Sequence, residues 1–300
     1  MVATHPIRLG TRGSALARWQ AEHVQALLAK LGHECELVII RTEGDRRTDV
    51  PLASIGGKGL FTEDIERRLL DNSLDCAVHS LKDVPSALPP GLVLAATLER
   101  EDPRDALVAA AGTSLMQLPH GARLGTSSLR RQAQALALRP DLRCENVRGN
   151  VDTRLRRWRA GDYDALLLAA AGLRRLGLAD VIAEYLDPGV FCPSAGQGVL
   201  ALECRAGDAA ALAALAPLNH APTASAITAE RALLLNLHCG CESPVGAYAR
   251  WQDGQLRLSA VVASPDGTRI VRHQAAGLKP ESLAAEVAEH LLSNGARELL

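Results

Sequence analysis

The feature that most constrains this chain is an alternation of short aliphatic runs with helical runs across residues 7–205. A chain that repeats strand, polar turn and helix buries its strands by laying helices over a mainly parallel sheet. The first unit sets the pattern. Residues 7–9 read as a strand, Gly10-Thr11-Arg12-Gly13-Ser14 as the turn and residues 15–31 as a helix. Leu16, Val24, Leu27, Leu28 and Leu31 recur at helical spacing, and Gly32 marks the stop. Ser14 suits the N-cap, where its oxygen can accept from a free backbone N–H. Residues 35–40 read as a second strand. Residues 41–59 are polar and end in Gly56-Gly57-Lys58-Gly59, a long connection that suits a lid. A helix over 60–70, a strand over 75–78 opening into His79-Ser80-Leu81-Lys82-Asp83-Val84-Pro85, and a strand over 92–97 follow.

The charged stretch Glu99-Arg100-Glu101-Asp102-Pro103-Arg104 reads as a crossing into a second domain. There the alternation repeats: strand 123–125 into Thr126-Ser127-Ser128 and helix 129–138, strand 142–147 into Arg148-Gly149-Asn150 and helix 151–159, strand 164–169 into a short helix. Residues 199–205 read as a strand able to return the chain to the first domain. From Pro222 the pattern changes to helix, three strands (245–250, 256–263, 269–274) and a closing helix from Pro280. The expected fold is therefore α/β, with domain 1 over 1–98 plus 199–216, domain 2 over 104–192, and a small α+β domain 3 over 221–300.

Composition excludes several functions. The net charge of −1 gives no global field to hold nucleic acid or an anionic membrane. No apolar run reaches the roughly 18–20 residues that span a bilayer, and the first residues lack a signal-peptide layout, so a cytoplasmic protein is expected. The seven cysteines are scattered without CxxC pairs, which argues against a disulfide framework. His238-Cys239-Gly240-Cys241 lacks the second ligand pair that zinc needs, so no metal is expected.

Arginines are not scattered. Residues 123–175 hold twelve arginines, no lysine and five acidic residues, an excess of seven positive charges. Arg139, Arg143, Arg156, Arg157 and Arg159 suit a solvated face. Arg130, Arg131 and Arg148 fall where strands end and helices begin, which is where open α/β sheets bind ligands and where helix N-termini offer free N–H groups. Guanidinium matches carboxylate or phosphate with two parallel hydrogen bonds. The chain has neither GxxxxGK[ST] nor a GxGxxG after a strand, and its 3% aromatic content leaves few stacking platforms for nucleic acid. A ligand with several carboxylates fits best. Asp83, at another strand end, reads on local grounds as a turn residue before Val84-Pro85.

Taken together, these segments resemble the porphobilinogen deaminase (hydroxymethylbilane synthase) family. The resemblance rests on Gly10-Thr11-Arg12-Gly13-Ser14, Gly56-Gly57-Lys58-Gly59-Leu60-Phe61, Ala77-Val78-His79-Ser80-Leu81-Lys82-Asp83-Val84-Pro85, Glu101-Asp102-Pro103-Arg104-Asp105-Ala106, Gly125-Thr126-Ser127-Ser128-Leu129-Arg130-Arg131-Gln132, Arg148-Gly149-Asn150-Val151-Asp152-Thr153-Arg154-Leu155, Ala170-Ala171-Gly172-Leu173, Pro193-Ser194-Ala195-Gly196-Gln197-Gly198 and Gly240-Cys241, in family order. It implies two domains like type-2 periplasmic binding proteins with a cleft between them. The third domain would carry a dipyrromethane cofactor by a thioether on Cys241. It further implies that four porphobilinogen molecules are joined head to tail, four ammonia molecules leave, and hydrolysis frees 1-hydroxymethylbilane.

By the same resemblance Asp83 is the catalytic carboxylate. Arg12, Ser14, Arg148, Arg154 and Arg175 should hold substrate carboxylates. Lys82, Asp83, Thr126, Ser127, Ser128, Arg130 and Arg131 should contact the cofactor, and a monomer is expected. Ser54, where many relatives carry a basic residue, and Cys239, where they usually carry glycine, depart from the pattern. The competing reading is a non-catalytic anion-binding protein on the same scaffold, in which a cysteine-bearing third domain would have no purpose.

Overall fold

The computed structural model describes residues 5–42, 44, 61–240 and 243–300. The expected lid, Ser54 and Cys241 fall outside these residues, apart from the ends of the lid at residues 41, 42 and 44. Strand β1 (Ile7–Arg12) runs into helix α1 (Ala15–Lys30), whose cap is Ser14, accepting from the Ala17 N–H at 3.2 Å. The helix buries Gln20, Ala21, Val24 and Leu28, the stripe that its periodicity requires. Strands β2 (Cys35–Ile40), β3 (Cys76–Ser80) and β4 (Leu92–Thr97) follow, with helix α2 (Glu63–Leu70) between β2 and β3.

The second layer system comprises β5 (Asp105–Val108), β6 (Arg123–Gly125), α3 (Leu129–Leu138), β7 (Arg143–Glu145), α4 (Val151–Arg159), β8 (Ala165–Ala169), α5 (Ala170–Arg175) and β9 (Ile182–Tyr185). Strand β10 (Leu200–Arg205) then joins the first sheet, as expected, and α6 (Ala209–Leu215) packs beside it. Helix α7 (Ala221–Asn236), strands β11 (Val245–Gln252), β12 (Gln255–Ala263) and β13 (Ile270–Gly277), and helix α8 (Pro280–Ser293) close the chain. Leu233, Ala247, Leu258, Val287 and Leu291 form a separate core there.

The sheets are mixed rather than mainly parallel. The first runs β2-β1-β3-β10-β4 and the second β7-β6-β8-β5-β9. In the first, β10 lies antiparallel to both β3 and β4; in the second, β5 lies antiparallel to both β8 and β9. Each of these strands receives the chain as it crosses from the other sheet, so it enters against the direction of its neighbours. The four-residue strands β5 and β9 were too short to stand out in the sequence.

The two crossings touch. Glu101 N–H donates to the Gly198 carbonyl at 3.1 Å. Gly198 has φ +86°, and a Cβ there would sit 2.3 Å from the Glu101 carbonyl oxygen, so only glycine fits. Glu230 of α7 ties the third core to both crossings. It accepts from Arg100 Nη2 at 2.7 Å, Gly196 N–H at 2.7 Å and Ala249 N–H at 2.8 Å. Among the described residues, no helix is long and apolar enough to cross a membrane.

Candidate active site

A cleft of about 910 Å³ opens where the C-terminal ends of β1, β3 and β8 meet the N-termini of α3 and α4. Arg12, Ser14, Lys82, Asp83, Ser127, Ser128, Arg130, Arg131, Arg154 and Arg175 all line it. Residues more than 160 positions apart thus share one surface, because the C-terminal ends of β1, β3 and β8 point into it. Thr126 and Arg148 stand behind the lining. Thr126 is buried and its Oγ1 accepts from the Ser128 N–H at 3.2 Å, shaping the turn instead of facing the space. The third domain supplies Leu234, Leu235, His238, Cys239 and Gly240 to the cleft, and Ser243 lines it as well. The described residues on either side of Cys241 therefore border the same space.

On the domain 1 wall, the Arg12 guanidinium lies 4.0 Å over the Phe61 ring, a cation–π contact that fixes its plane. Lys82 and Asp83 sit on a short 3-10 turn that follows β3 directly. Burial, with repulsion from Arg131 next, pulls the Lys82 ammonium down to about 8.

On the domain 2 wall, Arg130 and Arg131 are buried side by side on one carboxylate. Asp105 accepts from Arg130 Nη1 at 2.6 Å and Nη2 at 3.2 Å, from Arg131 Nε at 2.8 Å and from Gln197 Nε2 at 3.0 Å. Burial alone would raise the Asp105 carboxyl; the Arg130 and Arg131 charges outweigh it and hold it well below the usual carboxylate range. Two guanidinium charges against one carboxylate leave one positive charge over. Arg130 Nη1 also donates to the Cys192 carbonyl at 2.7 Å. Arg131 Nη1 donates to the Leu167 carbonyl at 3.0 Å, and its Nη2 makes a long 3.4 Å contact with Gln197 Oε1.

Arg154 Nε donates to the Gly149 carbonyl at 2.7 Å, and Arg175 Nη2 donates to the Gly198 carbonyl at 2.7 Å. Both are pulled down to about 10, Arg154 by burial and then by Arg131, Arg175 by burial. Three cations in one cleft are thus held where their charge is disfavoured. An anion entering the cleft would relieve that cost.

The solvated-face reading holds for Arg143, Arg156 and Arg159, which are exposed, and fails for Arg139. Arg139 pairs with Asp141 at 2.7 Å and donates to the carbonyls of Leu115, Met116, Leu118 and Pro119, so it clamps a loop. Arg157 pairs with Asp162 at 2.8 Å and lies over Tyr163. The sequence reading gave no role to Gln20, His79, Asp105, Gln197 or Asn150. Gln20, His79, Gln197 and Asn150 line the cleft, and Asp105 anchors its arginines. His79, Gln197 and Asp105 all lay within the quoted motifs.

Two family models cover the chain. One, described as porphobilinogen deaminase, dipyromethane cofactor binding domain, matches residues 7–213, and one described as porphobilinogen deaminase, C-terminal domain, matches residues 224–293. The porphobilinogen deaminase of Syntrophotalea carbinolica is 51% identical over 100% of this chain and 96% of its own length. That of Geobacter sulfurreducens is 48% identical over 100% of this chain and 95% of its own. Among solved structures, the periplasmic aliphatic sulphonate binding protein SsuA from Escherichia coli is 17% identical, with a TM-score of 0.38, over 79% of this chain and 71% of that one. With nearly its whole described length matched by the two models and about half its residues identical to these relatives, the chain belongs to the porphobilinogen deaminase family.

Proposed function

We infer that this chain is a hydroxymethylbilane synthase: it joins four porphobilinogen molecules head to tail, releases four ammonia molecules and frees 1-hydroxymethylbilane by hydrolysis. The observation that carries the reading at residue level is the cleft itself. It gathers Lys82, Arg154 and Arg175, all with disfavoured charge, around Asp83. A pyrrole with an acetate and a propionate is the kind of polyanion such a set accepts.

Residues present fit the dipyrromethane. The domain 2 wall offers a net positive charge at Arg130 and Arg131 beside the Ser127 and Ser128 hydroxyls, and Lys82 faces the same space. The group would supply the free pyrrole position from which the chain grows. Cys241 is proposed as its thioether sulfur, since Cys239, Gly240 and Ser243 border the cleft on both sides of it. Cys241 rather than Cys239 is favoured because Gly240-Cys241 and the following Pro244-Val245-Gly246 keep the family spacing.

Arg12, Ser14, Arg148, Arg154 and Arg175 are proposed to hold and orient substrate carboxylates, with Arg148 acting from behind the lining. Thr126, by shaping the turn, sets Ser127 and Ser128. Loss of ammonia turns porphobilinogen into a cation, and Asp83 is proposed to stabilise that cation and guide the proton that the attacked ring gives up. Domain boundaries at 1–98 plus 199–216, 104–192 and 221–300 fit the three sheets. A monomer working in the cytoplasm is the matching proposal for its assembly and place.

Replacing Asp83 with Asn tests the assignment. Turnover of porphobilinogen should fall by roughly 10²–10⁴ while cofactor content, read by intact mass and Ehrlich's reagent, stays at the parent level. Near-parent turnover would sink the role of Asp83. Peptide mapping of the holoenzyme should place the adduct on Cys241; an adduct on Cys239 would reverse the cysteine assignment.

A further inference from the structure

Behind the domain 1 wall lies a second group of ionisable side chains that the reaction as described does not use. His79 of β3 donates or accepts through Nε2 at 2.9 Å from Glu203 Oε2 on β10. The pair is diagonal across the antiparallel register, with Ala201 opposite His79 and Glu203 opposite Ala77. Glu203 is fully buried, on a strand flanked on both sides within its sheet. Glu66, at 5% exposure on α2, presents a second carboxylate to the same region.

The donors run short. Glu203 Oε1, Glu66 Oε1 and the Thr62 hydroxyl oxygen are buried with no hydrogen-bond partner among the described residues. A buried carboxylate kept for structure is treated otherwise in this molecule: Asp105 receives four donor contacts, and Glu230 receives three. A buried carboxylate oxygen that lacks a donor disfavours the ionised form over the protonated one. Glu203 and Glu66 each present one such oxygen, and the His79 hydrogen bond goes to Glu203. The charges facing Glu66 are Glu203, His79 and Glu63. Burial raises its carboxyl, the Thr62 hydroxyl opposes this, and the Glu203 charge raises it further.

His79 connects the group to the chemistry. It lines the cleft, as does Thr62, and stands four residues before Asp83 on the strand that delivers it. Its Nε2 is committed to Glu203, which leaves Nδ1 as the ring's other polar atom.

We propose that His79, Glu203 and Glu66 form a buried proton-holding relay that serves each condensation in the cleft. In one cycle the methylene–nitrogen bond of porphobilinogen breaks and its electron pair leaves on ammonia. A carbon–carbon bond forms between that methylene and the α-carbon of the acceptor ring, and the ring's α C–H bond then gives up a proton. The relay takes that proton by way of Asp83 and returns one to the ammonia, which departs as ammonium. The relay ends each cycle as it began, and no other reactant is needed. His79 and the two glutamates are positioning and proton-holding residues, with Asp83 the group that meets the substrate.

The relay rests on the Asp83 assignment, and its tests separate the two. The first readout is spectroscopic and independent of turnover. The infrared difference between the parent holoenzyme and Glu66→Gln or Glu203→Gln should contain the carbonyl stretch of a protonated carboxyl at pH 7, shifted in D₂O. Absence of that band from both differences overturns the proposal. The second readout is kinetic. Glu203→Gln and His79→Gln should lower kcat by about tenfold or more, leave KM within about twofold, and displace the pH profile of kcat, with cofactor content unchanged. A kcat profile superimposable on the parent's, or a loss shared equally by KM and cofactor content, overturns it. Asp83→Asn should keep the infrared band, so failure of the Asp83 role and failure of the relay give different results.

Discussion

The two walls of the cleft bury charge in opposite ways. On the domain 2 wall, Asp105 is saturated: Arg130, Arg131 and Gln197 all donate to it, and its carboxyl is driven well below the ordinary range. On the domain 1 wall, Glu203 and Glu66 each keep a buried oxygen without a donor, and the Glu66 carboxyl is driven upward. Burial is common to both, so it does not decide the outcome. The arginines do. With two guanidinium groups in contact, desolvation is more than offset and the site is fixed in one ionisation state. On the other wall Glu203 is met by the His79 imidazole instead of a guanidinium. One wall is built to hold a ligand still, and the other is built to exchange a proton.

The largest effect should come from breaking the saturated node. Asp105→Asn removes the single carboxylate between two buried arginines and leaves their charges uncompensated. Loss of one partner of such a pair costs about 3–5 kcal/mol, to be read as a lower urea midpoint at unchanged slope. A loss below about 1 kcal/mol would mean that the arginines find other partners, and the contrast between the walls would fail.

A smaller effect concerns the cations that face the space. Lys82, pulled down to about 8, loses its charge as pH rises through that value. Anionic substrate favours the charged form, so binding should weaken as pH climbs from 7 to 9. The expected rise in KM is several-fold, about 1 kcal/mol at most for a single partly screened contact. In Lys82→Met the KM should already be high at pH 7 and should flatten across that interval. A slope that persists in the variant would assign the titration to another group.

How much of this was legible in the sequence depends on whether contacts are local. The strand ends and caps around Ser14, Ser128 and Asp83 could be read, because turn chemistry and periodicity are written in neighbouring residues. The returning strand β10 was readable for the same reason, as an aliphatic run after glycines. The partners of Arg130 and Arg131 were not. Asp105 lies 25 positions from Arg130 and Gln197 lies 66 from Arg131, and no spacing rule connects them. His79 and Glu203 are 124 positions apart and meet because β10 returns antiparallel. The expectation of a mainly parallel sheet hid that pairing, because it left the direction of β10 unexamined. Arg139 erred the other way: it looked like surface charge, yet its Asp141 partner stood two residues away and the carbonyls it clamps lie over 20 positions back.

The smallest predicted effect is also the one that separates the walls by sign. Asp105 has its folded-state value depressed, so its contribution to stability is present above the unfolded value near 4 and is lost as pH falls through the folded one. Glu66 has its folded-state value raised, by burial and then by Glu203 against the pull of Thr62. Its contribution is present below the unfolded value near 4.3 and is lost as pH rises through the folded one. Glutamine at 66 keeps the neutral shape at every pH and removes that loss. Glu66→Gln should therefore match the parent near pH 4 and gain on it as pH rises, in urea midpoints taken between pH 4 and 8. A parent that gains on the variant with rising pH would mean that Glu66 is held ionised, as Asp105 is, and the two walls would then follow one rule.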